Sequence, residues 1–321
     1  MKKSIIAIAV SSAALASVSV QAAEGSTVDV YGNIQYAYTD NDASGKGSNF
    51  EDNGSTIGLK GETKVNDDLT AFFKYELEFK ADQKVDRGTT GTLADYNESK
   101  LDQAFVGLKG NFGKVQVGSF DTIYNNAIQD SVDQFEYLGV TNADKTSEGD
   151  TIAYFSPSMS GFEVQVAAQV KGDGSELAAT NTDGTSVLAV VKYSTDLVSI
   201  ALGYDARENT SATDPKATTG LAVTVTPMAN LSVTGKYETT EDTQDVLGLA
   251  ARYGYGVGDV YASYQNVDED GAGKDKFNEY AAGVTYSLAS NIYVFGEVGK
   301  YENALNSNSD TKTAVGVYYG F

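Results

Sequence analysis

The side chains of this chain that could do chemistry are carboxylates, lysines and aromatics, and what is missing beside them narrows that chemistry. No His and no Cys occur among the 321 residues. Their absence removes Ser-His-Asp hydrolysis, His-ligated zinc, thiol catalysis and any disulfide framework. An Asp-Asp or Ser-Lys scheme would be the remaining route to hydrolysis. No motif for either is present, so no catalytic residue is assigned. Fixed charge is what remains. Asp130, Asp133 and Glu136 recur at three-residue spacing within the longest connection, 121–150. The same stretch holds Ile123, Tyr124, Ile128, Val132, Phe135, Tyr137 and Leu138, more apolar content than a solvated loop needs. Folding against a wall would use it. Asp40-Asn-Asp42 and Asp268-Glu-Asp270 are further acidic clusters, read as solvated loops rather than as a metal site.

The elements that must position these charges are strands. Phe162, Val164, Val166, Ala168 and Val170 alternate with Glu163, Gln165, Ala167 and Gln169. Ala71, Phe73, Tyr75, Leu77 and Phe79 alternate with Phe72, Lys74, Glu76 and Glu78. Tyr280 to Leu288 and Leu247 to Tyr253 repeat the pattern. A period of two over many segments gives one apolar and one polar face per strand. Most aromatics fall on the apolar, outward side by this parity, and Trp is absent. The last strand, Thr311 to Phe321, is also two-faced and stops on an aromatic.

The connections alternate in length. Seven are short and rich in Gly, Asn, Asp or Pro: 66–69, 110–113, 156–161, 194–196, 226–230, 254–259 and 288–291. The others are long, polar and acidic: 40–53, 80–100, 121–150, 171–185, 205–216, 239–244, 267–276 and 302–310. Seven hairpins plus a closing pair of end strands make about sixteen strands, an even number suited to an all-β transmembrane antiparallel β-barrel. Such a barrel would present its apolar face to lipid and satisfy every backbone group between strands.

Residues 1–22 read as a secretory signal: Lys2 and Lys3, a short apolar run from Ile5 to Leu15, and Val20-Gln21-Ala22 as a cleavage site. Residues 23–321 then form one barrel domain. The formal charge is −21, or about −23 without Lys2 and Lys3. A general basic surface for nucleic acid is therefore excluded.

The chain resembles the general (non-specific) porins of Gram-negative outer membranes. Val28-Asp-Val-Tyr-Gly32, Ile57-Gly-Leu-Lys-Gly-Glu62, Ala104-Phe-Val-Gly-Leu-Lys109, Val117-Gly-Ser-Phe-Asp121, Ala153-Tyr-Phe-Ser-Pro157 and Tyr318-Tyr-Gly-Phe321 carry the resemblance, in that order. It implies a trimeric, sixteen-stranded barrel in the outer membrane, in contact with lipid and lipopolysaccharide. Its third external loop would fold into the lumen and narrow the pore. Ions and small hydrophilic solutes would diffuse through passively, with no cofactor. Phe321 would be the signal to the barrel assembly machinery.

By the same resemblance, Asp130, Asp133 and Glu136 belong to the acidic side of the constriction. Lys60 matches the family's lumen-facing lysine on the second strand; strand parity puts Glu62, Lys74, Arg252 and Lys312 on the same pore wall, and alignment with the family adds Lys100 and Asp102. The chain departs from the arginine-ladder pattern of enteric members: Asn33, Thr56 and Asp102 stand where lumen basics are expected, and only Arg87, Arg207 and Arg252 occur at all. An excess of lumen carboxylate implies cation preference.

Overall fold

The computed structural model describes residues 18–21, 25–43, 45–82, 99–144, 148–170, 185–207, 216–271, 273–303 and 306–321. Sixteen antiparallel strands form the main sheet. The first four are β1 (Ser26–Asn41), β2 (Ser55–Asn66), β3 (Leu69–Phe79) and β4 (Lys100–Gly110). Next come β5 (Gly113–Ser119), β6 (Thr151–Phe155), β7 (Phe162–Val170) and β8 (Thr185–Ser194). They are followed by β9 (Val198–Asp205), β10 (Thr218–Met228), β11 (Leu231–Thr240) and β12 (Gln244–Gly254). The last are β13 (Asp259–Glu269), β14 (Phe277–Ala289), β15 (Ile292–Asn303) and β16 (Asn306–Gly320).

Each strand pairs with its sequence neighbours, and β16 pairs back onto β1 with Gly316 opposite Ala37. The sheet is therefore a closed barrel, and closure removes the exposed edges an open sheet would leave. Two short strands lie beside this ring. Ser48–Asp52 pairs with Tyr36–Asp40, and Val18–Gln21 pairs with Thr27–Val30. The latter falls within the stretch read above as a signal; the rest of that reading, 1–17 and 22, lies outside the described residues.

The alternation of the strands appears directly in their exposure. Val315 is 63% exposed and its neighbour Ala314 is 1% exposed. Leu247, Leu249, Tyr280, Val284 and Leu288 are exposed on the apolar face, while Ala250, Ala281 and Thr285 are buried on the other. The seven short turns join β2–β3, β4–β5, β6–β7, β8–β9, β10–β11, β12–β13 and β14–β15, at one end of the barrel. The longer connections gather at the opposite end, and those at 83–98, 171–184 and 208–215 lie outside the described residues. Two of them are shorter than the sequence suggests. β11 and β12 continue to Thr240 and from Gln244, leaving a turn at 241–243, and β15 and β16 reach Asn303 and Asn306. Polar residues there stay in the strand ladder because their partners across the hairpin are in register.

One irregularity changes side-chain direction. Glu76 pairs with Gln103 but Leu77 pairs with Leu101, so Asp102 is an extra residue on β4. A bulge of this kind shifts the two-residue alternation by one. Leu101 is exposed on the apolar face, while Gln103 and Phe105 point to the polar one.

Candidate functional site

The segment 120–144 connects β5 to β6 and begins with a short helix, α1 (Ile123–Ala127). Thr122 sets its start: the residue is extended, and its Oγ1 accepts the Asn125 N–H at 3.0 Å. That bond satisfies one donor left free in the first turn. A 3-10 turn, Gln129–Ser131, follows. Ile123, Tyr124, Ala127 and Ile128 are buried against Ala153, Ala167, Leu188, Val190, Ala201 and Ala222 of β6 to β10. Small side chains on these strands make room for the helix. At Gly220 of β10 a Cβ would lie 2.4 Å from Ile128 Cγ2 and 2.7 Å from the Tyr124 hydroxyl.

Beyond the 3-10 turn the segment runs without regular structure, and wall carboxylates hold its backbone. Glu297 on β15 accepts the N–H groups of Glu136 at 2.6 Å, Tyr137 at 3.1 Å and Leu138 at 2.8 Å. The Tyr261 hydroxyl also donates to it at 2.7 Å. Glu279 on β14 accepts from Thr141 N at 2.9 Å and Thr141 Oγ1 at 2.6 Å. Glu238 on β11 accepts from Ala143 N at 2.9 Å and Gln129 Nε2 at 2.8 Å. All three carboxylates are buried. Their charge strengthens these bonds and satisfies amides that have no ladder partner. The carbonyls are met as well: Gln265 donates to Thr141 O at 2.7 Å, Arg252 to Gln134 O at 3.2 Å and Asn53 to Glu136 O at 2.8 Å.

Sequence reasoning missed Glu238, Glu279 and Glu297 as anchors. Period-two parity places them on the polar face, and that was the one signal available. Nothing local names their partners.

Of the acids singled out above, Asp130 and Asp133 are exposed, and Glu136 is half-buried with its carboxylate accepting the Tyr293 hydroxyl at 2.6 Å. Asp130 also accepts from Asn125 Nδ2 at 2.9 Å. Protein crowds both aspartates although their oxygens reach water. That desolvation, reinforced by the Asp121 charge, pushes Asp130 up to about 6. Desolvation likewise pushes Asp133 up to about 6, against the bond from the Phe135 amide and with the help of the Asp130 charge. Glu136 is raised by desolvation too, and Tyr293 and Arg252 oppose the rise.

The wall residues are distributed around the barrel. Lys60 and Lys74 lie over the Tyr31 ring at 5.0 and 5.8 Å. Lys74 is paired with Glu76 at 2.8 Å and donates to Gln103 at 3.2 Å. Glu62 is paired with Lys109. Lys100 is exposed and stands in register opposite Glu78. Asp102, on the bulge, lies against the Glu76 carboxyl. Arg252 pairs with Asp259 at 3.2 Å and lies over Tyr261 at 4.8 Å. Lys312 lies over Tyr301 at 4.3 Å. Phe321 exchanges two backbone bonds with Gly32, each 3.0 Å. The structure thus brings Glu136 and Arg252 to the same segment and leaves Lys60, Lys74 and Asp102 together on β2 to β4.

Aromatics such as Tyr75, Tyr237, Tyr280 and Tyr319 are exposed on the apolar face, and others stand on the polar one. Tyr31, Tyr261 and Phe295 are buried on the polar face, and Tyr293 stacks on Tyr318 there at 4.8 Å between ring centres.

Comparison with known proteins adds family to geometry. A family model described as Gram-negative porin matches residues 4–320. A monosaccharide porin of Halomonas sp is 34% identical over 378 residues, covering 100% of both chains. Outer membrane porin F of Escherichia coli K12 is 27% identical over 382 residues, also covering 100% of both. Among solved structures, Salmonella typhi OmpF in complex with daunomycin aligns with a TM-score of 0.77 at 20% identity, over 95% of this chain and 100% of that one. An anion-selective porin from Comamonas acidovorans aligns with a TM-score of 0.73 at 19% identity, over 92% and 100%.

Proposed function

The chain belongs to the Gram-negative porins, and from that premise we propose that it is a cation-preferring diffusion pore whose constriction is built by residues 120–144. Porins are outer-membrane channels for passive diffusion and not enzymes, and this chain is one of them. Charge preference, the constriction and the assembly partners are the parts proposed here.

The carrying observation is the hold on the segment. Residues 129–143 bond to side chains of β11, β12, β13, β14 and β15, and Tyr137 reaches Glu51 beside β1 at 2.7 Å. Contacts to so many strands on one face of a closed barrel fit a segment lying across its lumen. Asp130 and Asp133 then project into the path of solutes. The basic groups nearby are engaged: Lys236 with Glu238 at 3.3 Å, Arg252 with Asp259, Lys74 with Glu76. Among the described residues, neither Asp130 nor Asp133 forms an ion pair. Fixed negative charge in a narrow, low-dielectric passage lowers the barrier for cations and raises it for anions. The Comamonas neighbour, at 19% identity, bears on the fold alone.

The reading includes a homotrimer, lipid and lipopolysaccharide around the apolar face, and the barrel assembly machinery acting on the Phe321 end. Diffusion needs no cofactor. The test is the zero-current potential of single channels in a planar bilayer under a KCl gradient. A potential on the cation side is expected, and one on the anion side overturns the charge preference.

A second reading, passage of monosaccharides, rests on the Halomonas relative's name and on the stacked Tyr293 and Tyr318, which offer ring faces to a pyranose. Liposome swelling with glucose against a sugar alcohol of equal size separates it from unselective diffusion.

A further inference from the structure

Lys236 of β11 is 1% exposed, covered so fully that no solute reaches its ammonium. The ammonium donates to Asn142 Oδ1 at 2.6 Å and is paired with Glu238 at 3.3 Å. Two contacts fix what covers it. Glu238 accepts from Gln129 Nε2 at 2.8 Å, and Gln129 directly precedes Asp130. Gly248 of β12 stands in register opposite Lys236, and Val132, which directly precedes Asp133, packs over it. A Cβ at Gly248 would lie 3.2 Å from Val132 Cγ2. Residues 129–132 therefore cover Lys236, and the charge beneath them reaches both Asp130 and Asp133. Neither aspartate has a cation within ion-pair distance among the described residues. The other groups acting on Asp130 are Asp121 and Asn125, and those acting on Asp133 are Asp130, Glu297 and the Phe135 amide. Glu238 and Glu279 face Lys236 itself.

A positive charge near a carboxyl favours its ionised form and opposes the desolvation that drives it toward the neutral acid. A covered ammonium is also screened less by salt than an exposed one. Glu238 offsets part of the field of Lys236, but Glu238 also accepts from Gln129 and Ala143, which take up part of its own charge. We propose that Lys236 is a selectivity-determining residue that acts from behind the constriction: its covered ammonium keeps Asp130 and Asp133 ionised and so sustains the cation preference. The role rests on the constriction reading. Lys236 acts through the two aspartates and touches no ion itself.

The test follows the two carboxyls by carbon-13 NMR of protein labelled at aspartate, with D130N and D133N identifying the two signals. The zero-current potential under a KCl gradient is recorded over the same pH range. K236Q removes the charge and keeps a hydrogen-bonding group toward Asn142 and Glu238. It should raise both carboxyl midpoints by about half a pH unit or more, and the loss of cation preference should move to higher pH with them. K236R keeps the charge and should restore the native midpoints. E238Q removes the offsetting carboxylate and should lower the midpoints. Opposite shifts from two neighbouring substitutions are not what a shared loss of packing would give. Heat-resistant electrophoretic migration reports folding of each variant, and the downward shift in E238Q decides alone if K236Q misfolds. Unmoved midpoints, or a shift in the same direction for K236Q and E238Q, overturn the role of Lys236. A pH-dependent potential with unmoved midpoints refutes that role and keeps the constriction. Shifted midpoints with a potential that ignores pH refute the constriction and keep the electrostatic link.

Discussion

The Glu297 carboxylate accepts the Leu138 N–H at 2.8 Å across 159 residues of chain. With the amides of Glu136 and Tyr137 on the same carboxylate, three consecutive donors of an otherwise irregular segment depend on one side chain.

Replacing Glu297 should therefore loosen the segment without opening the barrel. E297Q removes the charge and presents an NH2 group to the amide donors, a loss of about 2 kcal/mol by the usual worth of buried charged hydrogen bonds. Thermal unfolding followed by circular dichroism should show a lower midpoint. Single-channel records should show more open-state noise if the segment forms the proposed constriction, because it has lost its clamp. An unchanged midpoint with quiet channels would show that Glu279 and Glu238 suffice.

Cation preference should depend on pH. Asp130 and Asp133 have carboxyls pushed up to about 6, so their negative charge is present well above that pH and lost as pH falls through it. The zero-current potential under a KCl gradient should fall between about pH 7.5 and 5. D130N/D133N should flatten that step. Stability runs the other way. A carboxyl raised in the fold opposes folding when ionised, and that penalty fades below about 6 and is gone near the unfolded value of about 4. Asn at either position should leave stability at pH 7.5 equal or higher.

G220V tests the seat of α1. A Cβ there would meet Ile128 Cγ2 at 2.4 Å and the Tyr124 hydroxyl at 2.7 Å, so these side chains, or the helix that carries them, must shift. Overpacking of a buried contact costs about 1–3 kcal/mol. The expected readouts are faster proteolysis within 120–144 and altered conductance, with the barrel still folded. Native proteolysis and conductance would mean that Ile128 repacks without moving the helix.

Phe321 has two separable parts. Its backbone closes β1 to β16 through Gly32, and its ring fills the space where a Gly32 Cβ would stand, 2.8 Å from the ring edge. F321A keeps the backbone bonds; deletion of Phe321 removes them. Refolding yield in vitro should drop for the deletion more than for F321A, while outer-membrane levels in cells should drop for both. Full membrane levels of F321A would overturn the proposal that the ring is an assembly signal.

Much of the barrel was legible in the residues. Leu247 and Leu249 face away from Gly248 and Ala250 because strand geometry points successive side chains to opposite faces, and this rule needs no distant partner. The seven tight turns were legible for the same reason, since Gly, Asn, Asp and Pro act on their own backbone. The turn at 241–243 was overread as a long loop because polar composition does not distinguish a loop from the polar end of a paired strand.

The site was legible only in part. Asp130, Asp133 and Glu136 could be singled out by position and spacing, and Lys74 and Arg252 by parity. Their partners could not. A bulge at Asp102 shifts the direction of the following residues, and its place depends on the register between β3 and β4.

Period, turn chemistry and the absence of His and Cys determined by themselves that this chain is a closed sheet with one apolar face and no His- or thiol-based catalysis. Only the tertiary structure decided which carboxylates are spent on holding the segment and which stay outside those bonds. Glu238 lies 95 residues from the amide of Ala143 that it holds, and Glu279 lies 138 from Thr141. The physical reason is that alternation is a property of the local backbone, whereas a hydrogen bond across a barrel requires closure of the whole ring to bring its two ends within 3 Å.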